Sequence, residues 1–301
     1  MEKEHNMSKV SELLGCGYPI IQGAMGNICN PELVAAVSEA DGFGLLATAF
    51  VSEPEMVRTQ IHETKKLTRK PFGANLQVMS QHTPKIAEIL AEEGIRVVTV
   101  SGGSPKALIP FLHERAIKVL VVVPTVSVAV KAEALGADAI IAEGSESGGI
   151  QGFNGVSTMV LVPAVVDSVK VPVIAAGGIG DSRGYKAALD LGASGVQVGT
   201  RFIATLECIA HLNYKNTLVE YEDTGTCLVN VGPFQVRALR TPLAAKMVNE
   251  GETPEFSFGG NSIEASWIQG DLDAGILPAG AVTGLIHDIP SVKEVVEEMV
   301  K

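Results

Sequence analysis

The sequence predicts a TIM (β/α)8 barrel with a C-terminal insertion or flap, and three observations carry that prediction. Eight short apolar runs recur, at 19–22, 44–47, 72–76, 97–99, 118–122, 139–142, 173–176 and 195–198. None alternates polar with apolar residues, as expected of parallel strands buried on both faces. Each is followed by apolar residues at helical spacing, and eight such units close a barrel more readily than an open doubly wound sheet of about six strands. No GxGxxG opens an early helix, which removes the usual signature of a dinucleotide fold.

The elements follow in order. YPIIQG ends on a glycine and leads into NPELVAAVSEAD, where Asn30 predicts a helix cap and Pro31 a first turn. FGLLAT, PFGANLQV, RVVTVS, IKVLVVV, ADAIIAEG, VPVIAAGG and SGVQVG supply the other strands. EPEMVRTQIHETKKLT, TPKIAEILAEEG, SPKALIPFLHERA, TVSVAVKAEALG, STMVLVPAVVDSV and DSRGYKAALDLG supply the helices between them. The rhythm breaks over 216–266, a turn-rich segment that reads as a flap over the barrel mouth. The amphipathic LIHDIPSVKEVVEEMV then closes a chain that is expected to be one domain over 1–301.

Composition narrows the function. With 301 residues, 46% of them hydrophobic, the chain has ample material for a core. A formal charge of -11 argues against nucleic acid as partner, and the basic runs KKLTRK and RALR are too short to reverse it. No apolar run approaches the ~18 residues of a membrane span, and MEKEHNMSKVSELLG has no apolar signal-peptide region, so a cytoplasmic protein is expected. The four cysteines form no CxxC pair, so no metal site is expected. Only Cys29, in AMGNICN, raises the question of ligand contact.

In such a barrel the chemistry belongs at the C-terminal ends of the strands. There stand Gly23, Ala24 and Met25 after the first run, Asn75 and Gln77 at the third, Glu143 at the sixth, Gly177 and Gly178 after the seventh, and Gly199 and Thr200 after the eighth. Two glycine-containing loops beside a helix start predict a phosphate seat, because bare N–H groups and the helix dipole favour an anion. A phosphorylated substrate and a nucleotide cofactor both satisfy that seat. Asn75 and Gln77 donate and accept hydrogen bonds, which suits a flat heterocycle such as a flavin mononucleotide, although backbone partners would satisfy them equally. No lysine stands at a strand end to form a Schiff base.

The motifs QGAMG, PFGANL, IIAEGSESGG, VPVIAAGGIGDSRG, GVQVGTRF and AGAVTGLI occur in this order across nearly the whole chain. Together they resemble the FMN-dependent enoyl-acyl-carrier-protein reductase II and nitronate monooxygenase superfamily. The resemblance implies that Gly23, Ala24, Met25 and Asn75 line the isoalloxazine and that Glu143 lies near its polar edge; from its place after a buried strand and five residues before the glycine pair, Glu143 is expected to fix the flavin without acting as the substrate acid. It also implies that Gly148 and Gly149 approach the flavin and that Gly177, Gly178, Gly199 and Thr200 hold its phosphate.

Relatives read E(S/A)GGH, whereas this chain reads ESGG followed by Ile150. Isoleucine exchanges no proton, so the catalytic acid is left unknown, with Glu146 and Gln151 as weak candidates and a rebuilt apolar wall at Ile150. Of the histidines, only His82 falls just beyond a strand end. The resemblance implies FMN as cofactor, NAD(P)H as reductant and an enoyl thioester on acyl-carrier protein or CoA as substrate. Arg237 or Arg240 of the flap would suit the phosphopantetheine arm of such a substrate, and either reads equally as an ordinary exposed arginine. A nitronate monooxygenase is the alternative, a flavin protein of altered redox or sensory role a third, and a homodimer is compatible with each.

Overall fold

All eight apolar runs become parallel strands in the computed structural model, which describes residues 8–152, 155–250 and 261–301. They are β1 (Ile20–Gln22), β2 (Gly44–Ala47), β3 (Phe72–Gln77), β4 (Val97–Ser101), β5 (Lys118–Val123) and β6 (Ala139–Glu143). After β7 (Gly149–Ile150), a two-residue strand of another sheet, come β8 (Val173–Ala176) and β9 (Gly195–Val198). The sheet order is β1-β9-β8-β6-β5-β4-β3-β2. A parallel bridge between Ile21 and Phe43 brings β1 against the start of β2 and closes the ring.

Both faces of the strands are dry, which is why the sequence shows no alternation. Ile21, Phe43, Leu45, Leu120, Ile141 and Ile174 fill one buried cluster, while Ile20, Leu46, Val98, Val119, Ile140 and Val196 pack in a second. The period of two survives only as a choice between two apolar environments. The first cluster also takes in Val10 and Leu14 from the helix Lys9–Leu14. Sequence reasoning missed this helix, although Ser8 caps it and Gly15, at φ 71°, ends it as left-handed glycines do.

Asn30 stands at the predicted cap position with extended backbone, but its side chain makes no cap bond. Its amide instead donates to Glu32 Oε2 (2.7 Å) and the Glu207 carbonyl (3.0 Å), and accepts from Ile209 N (3.0 Å). It therefore ties the first barrel helix to the excursion that follows β9. That excursion holds the helix Leu212–Glu220, an antiparallel hairpin of β10 (Thr226–Val231) and β11 (Phe234–Leu239), and the helix Pro242–Glu250. Of the flap expected over 216–266, residues 251–260 lie outside the described residues, as do 153–154 of the loop after β6. The chain returns to the barrel with the helix Val292–Met299, whose cap is a reciprocal Ser291–Glu294 box. No helix among the described residues is long and apolar enough to cross a membrane.

Candidate active site at the barrel mouth

A cavity of about 690 Å³ opens at the C-terminal ends of the strands. Its size falls in the range of small-molecule and cofactor sites. Every predicted ligand-binding position reaches it: Gly23, Ala24, Met25 and Asn75, then Glu143, Gly148 and Gly149, and finally Gly177, Gly178, Gly199 and Thr200. Short parallel strands in register bring these loops together, Glu143 lying beside Ala176 and Gln22 beside Val198.

The wall above β8 and β9 is built from bare backbone. Gly177 and Gly178 have φ of 98° and 74°, a region that side-chain-bearing residues avoid. The loop from Gly280 closes over it: Gly280 N donates to Thr200 Oγ1 (2.9 Å) and Ala281 N donates to the Glu146 carbonyl (2.8 Å). A side chain on Gly148 would lie 2.7 Å from backbone atoms of Ala279 and Gly280, so this glycine permits close approach of two chain segments.

The adjoining wall is the loop after β6. Its residues Gly149 and Ile150 form β7 by pairing with Arg237 and Val236 of the hairpin, and Gln151 N donates to the Gln235 carbonyl (2.8 Å). Ile150 lines the cavity and also packs against the hairpin cluster that contains Cys227, Val229, Val236 and Ile276. An isoleucine here is thus part of the joint between loop and hairpin.

Several expected roles change on these contacts. Glu146 accepts from Thr158 N (2.8 and 3.0 Å) and from the Thr158 hydroxyl (3.0 Å), so its carboxylate is committed to the start of the helix Thr158–Val166. Gln151 folds back, its amide donating to the Ser147 carbonyl (2.8 Å), Ser147 Oγ (3.2 Å) and the Gly149 carbonyl (3.2 Å). Arg237 does not line the cavity; Nε donates to the Ser145 carbonyl (2.8 Å) and Nη1 to Thr226 Oγ1 (3.2 Å). Arg240 Nη2 points to the Thr226 carbonyl (3.5 Å). These arginines brace the loop and the hairpin.

Cys29 is buried behind Met25, whose N–H donates to its sulfur (2.9 Å), and burial pushes its thiol up to about 12. It holds the Gly23–Cys29 turn together and lies outside the cavity lining. His82 precedes the helix Thr83–Glu92 and is not at the cavity either. No group of three or more potential metal ligands occurs among the described residues.

Asn75 is held at the cavity floor by β4: its Nδ2 donates to Thr99 Oγ1 (2.9 Å), and Ser101 Oγ donates to its Oδ1 (3.2 Å). Glu143, at the end of β6, is a half-buried acid lining the same cavity, hydrogen-bonded to Ser147. Desolvation raises its pKa to about 7 against the opposing effect of that hydrogen bond. Sequence reasoning missed an aromatic side of the cavity. Phe50 and Trp267 meet edge to face at 6.5 Å, Trp267 Nε1 donates to the Ile276 carbonyl (2.9 Å), and Phe234 lines the same space from the hairpin. Nothing local marks residues so far apart in the chain as neighbours.

Comparison with known proteins agrees with this architecture. The family model described as nitronate monooxygenase matches residues 7–301. FabK from Thermotoga maritima superimposes with a TM-score of 0.90 at 39% identity, covering 97% of this chain and 94% of that one. A (3aS,4S,5R,7aS)-5-hydroxy-7a-methyl-1-oxo-octahydro-1H-indene-4-carboxyl-CoA dehydrogenase from Rhodococcus jostii (strain RHA1) is 31% identical over 97% of this chain and 94% of its own. A probable nitronate monooxygenase from Staphylococcus saprophyticus is 33% identical over 74% of this chain and 76% of its own.

Proposed function

This chain belongs to the nitronate monooxygenase family, and from that premise we propose that it is an FMN-dependent, NAD(P)H-consuming reductase of enoyl thioesters. The observation that carries the reading is the joint one of a glycine-walled cavity at the strand ends and a FabK-like chain path along nearly all its length. FabK is an enoyl-acyl-carrier-protein reductase II. The Rhodococcus relative is named for a carboxyl-CoA compound, so two relatives of different name favour a thioester. The staphylococcal relative supports the second reading, a nitronate monooxygenase.

The residues fit a flavin mononucleotide. Gly149 has open space where a Cβ would stand, and Cβ atoms built on Gly23 and Gly199 would meet only ordinary contacts, leaving bare backbone toward a planar ring. Gly177, Gly178, Gly199 and Thr200 would seat the phosphate, and Asn75, fixed by Thr99 and Ser101, would bond the heterocycle. Bound flavin supplies the capacity to accept and deliver hydride. The protein would orient the ring through Asn75 and the Gly23–Met25 turn, exclude water with Phe50, Trp267 and Ile150, and leave Glu143 as the titratable group at the mouth.

Reconstitution tests this directly: about one FMN per chain should be retained, and NADH or NADPH should bleach it anaerobically. Reoxidation by a crotonyl thioester and not by an alkyl nitronate is the expected result. A protein that takes up no FMN, or that reacts only with the nitronate, would overturn the reading.

A further inference from the structure

We propose that Glu143 is the catalytic acid of this site, exchanging a proton with the substrate where relatives carry a histidine; this rests on the thioester-reductase reading above. The described lining of the cavity contains no histidine or cysteine, and only two carboxyl groups, Glu143 and Glu146. Glu146 is spent on the amide and hydroxyl of Thr158. Tyr214 is fully buried, its hydroxyl donating to the Pro278 carbonyl (2.5 Å), and burial drives its pKa well above that of a free phenol. Lys131 stands on the exposed rim. Arg237 approaches from the hairpin side but is turned to the Ser145 carbonyl and Thr226.

Glu143 differs from each of these. It ends β6 and lines the cavity, and its side-chain partner among the described residues is the Ser147 hydroxyl, whose direction is set by the next residue in the chain of bonds. Gln151 Nε2 donates to Ser147 Oγ (3.2 Å), so the Ser147 hydroxyl is free to donate to Glu143. Such a donor supports the carboxylate left after proton transfer, while burial favours the protonated acid before it. The two influences oppose, which leaves the group able to occupy both states near neutral pH. Ile150 cannot compete for this role, since it packs into the hairpin cluster.

The chemistry balances. Bound flavin, reduced by NAD(P)H, would supply hydride for the new C–H bond at the β-carbon as the alkene π bond opens, and the Glu143 O–H bond would break to give its proton to the α-carbon. The two electrons gained by the alkene would come from NAD(P)H by way of that cofactor. The Glu143 carboxylate then recovers a proton from cavity water.

The test compares FMN-loaded wild type with E143Q under anaerobic conditions, measuring FMN affinity, flavin bleaching by NADH and reoxidation by crotonyl-CoA separately. E143Q should keep FMN affinity within about threefold and bleach normally, yet reoxidise on the order of 10²-fold more slowly. In wild type the reoxidation rate should fall as pH rises through about 7, and that limb should vanish in E143Q. Infrared difference spectra of the flavin-free protein give a readout apart from turnover: a protonated-carboxyl band that disappears as pH is raised through the same range and is absent in E143Q. Equal reoxidation rates in the two proteins would overturn the assignment while sparing the thioester reading, as would a parallel loss of FMN binding and both half-reactions. A wild type that reduces no thioester would overturn the reading itself, and with it this role for Glu143.

Discussion

The two walls of the cavity are held by different means. The wall over β8 and β9 depends on backbone conformation at Gly177 and Gly178, and on the close approach of Gly280. The wall after β6 depends on partners far along the chain: β11 for Gly149 and Ile150, and Arg237 for Ser145. One wall is specified by residues that stand in it, the other by a hairpin that begins more than 70 residues later in sequence (150 against 226). A barrel thus supplies a rigid floor on which one rim is intrinsic and the other borrowed.

The contrast breaks first where the walls touch. G148V would force a side chain to within 2.7 Å of the Ala279–Gly280 backbone, so a loss of about 3 kcal/mol or more is expected on thermal or denaturant unfolding. A midpoint equal to wild type would show that the two segments separate freely. Next, V236A should cost about 2–3 kcal/mol in the hairpin cluster. Its amide exchange should quicken at Gly149 and Gln151 but not at Gly177 or Gly178. Equal quickening on both sides would erase the distinction between borrowed and intrinsic walls.

Glu143 offers a pH test of the floor between them. Its folded pKa of about 7 lies above the ordinary 4.5, so its protonated form stabilises the fold, fully below pH 4.5 and progressively less as pH rises through 7. E143Q lacks that loss. The flavin-free variant should match wild type near pH 4 and exceed it at pH 8 by about 2 kcal/mol, below the ceiling of ~1.4 kcal/mol per pKa unit because water reaches the cavity. A stability difference that does not change with pH would remove the buried acid from the description. The smallest effect is expected for I150H. An imidazole at the joint gives up apolar contact with the hairpin for about 1 kcal/mol, and it should add little thioester reduction. A large gain in product formation, with flavin bleaching unchanged, would mean that the site merely lacks the histidine of its relatives.

The strands were readable because each is mainly apolar without alternation, and the observed bounds differ from the predicted ones by two residues at most. Asn75, Glu143 and the glycine pairs were readable because a strand end in a barrel always faces the mouth. Arg237 was misjudged because charge in a flap suggests a ligand contact, whereas its reach to Ser145 depends on a pairing that no local pattern encodes. β7 is only two residues long and carries no strand signature.

By itself the sequence determined the barrel, since eight dry strands with intervening helices have few other ways to bury both faces, and it determined where glycine must stand, since a positive φ is a property of one residue. Only the tertiary structure decided what Ile150, Glu146 and Arg237 do. Their partners are the hairpin cluster, Thr158 and Ser145, and the choice among possible partners is made by which segments the closed barrel brings within a hydrogen bond of one another. Polar groups near a crowded mouth must find some partner on losing water, and distance along the chain says nothing of which one is at hand.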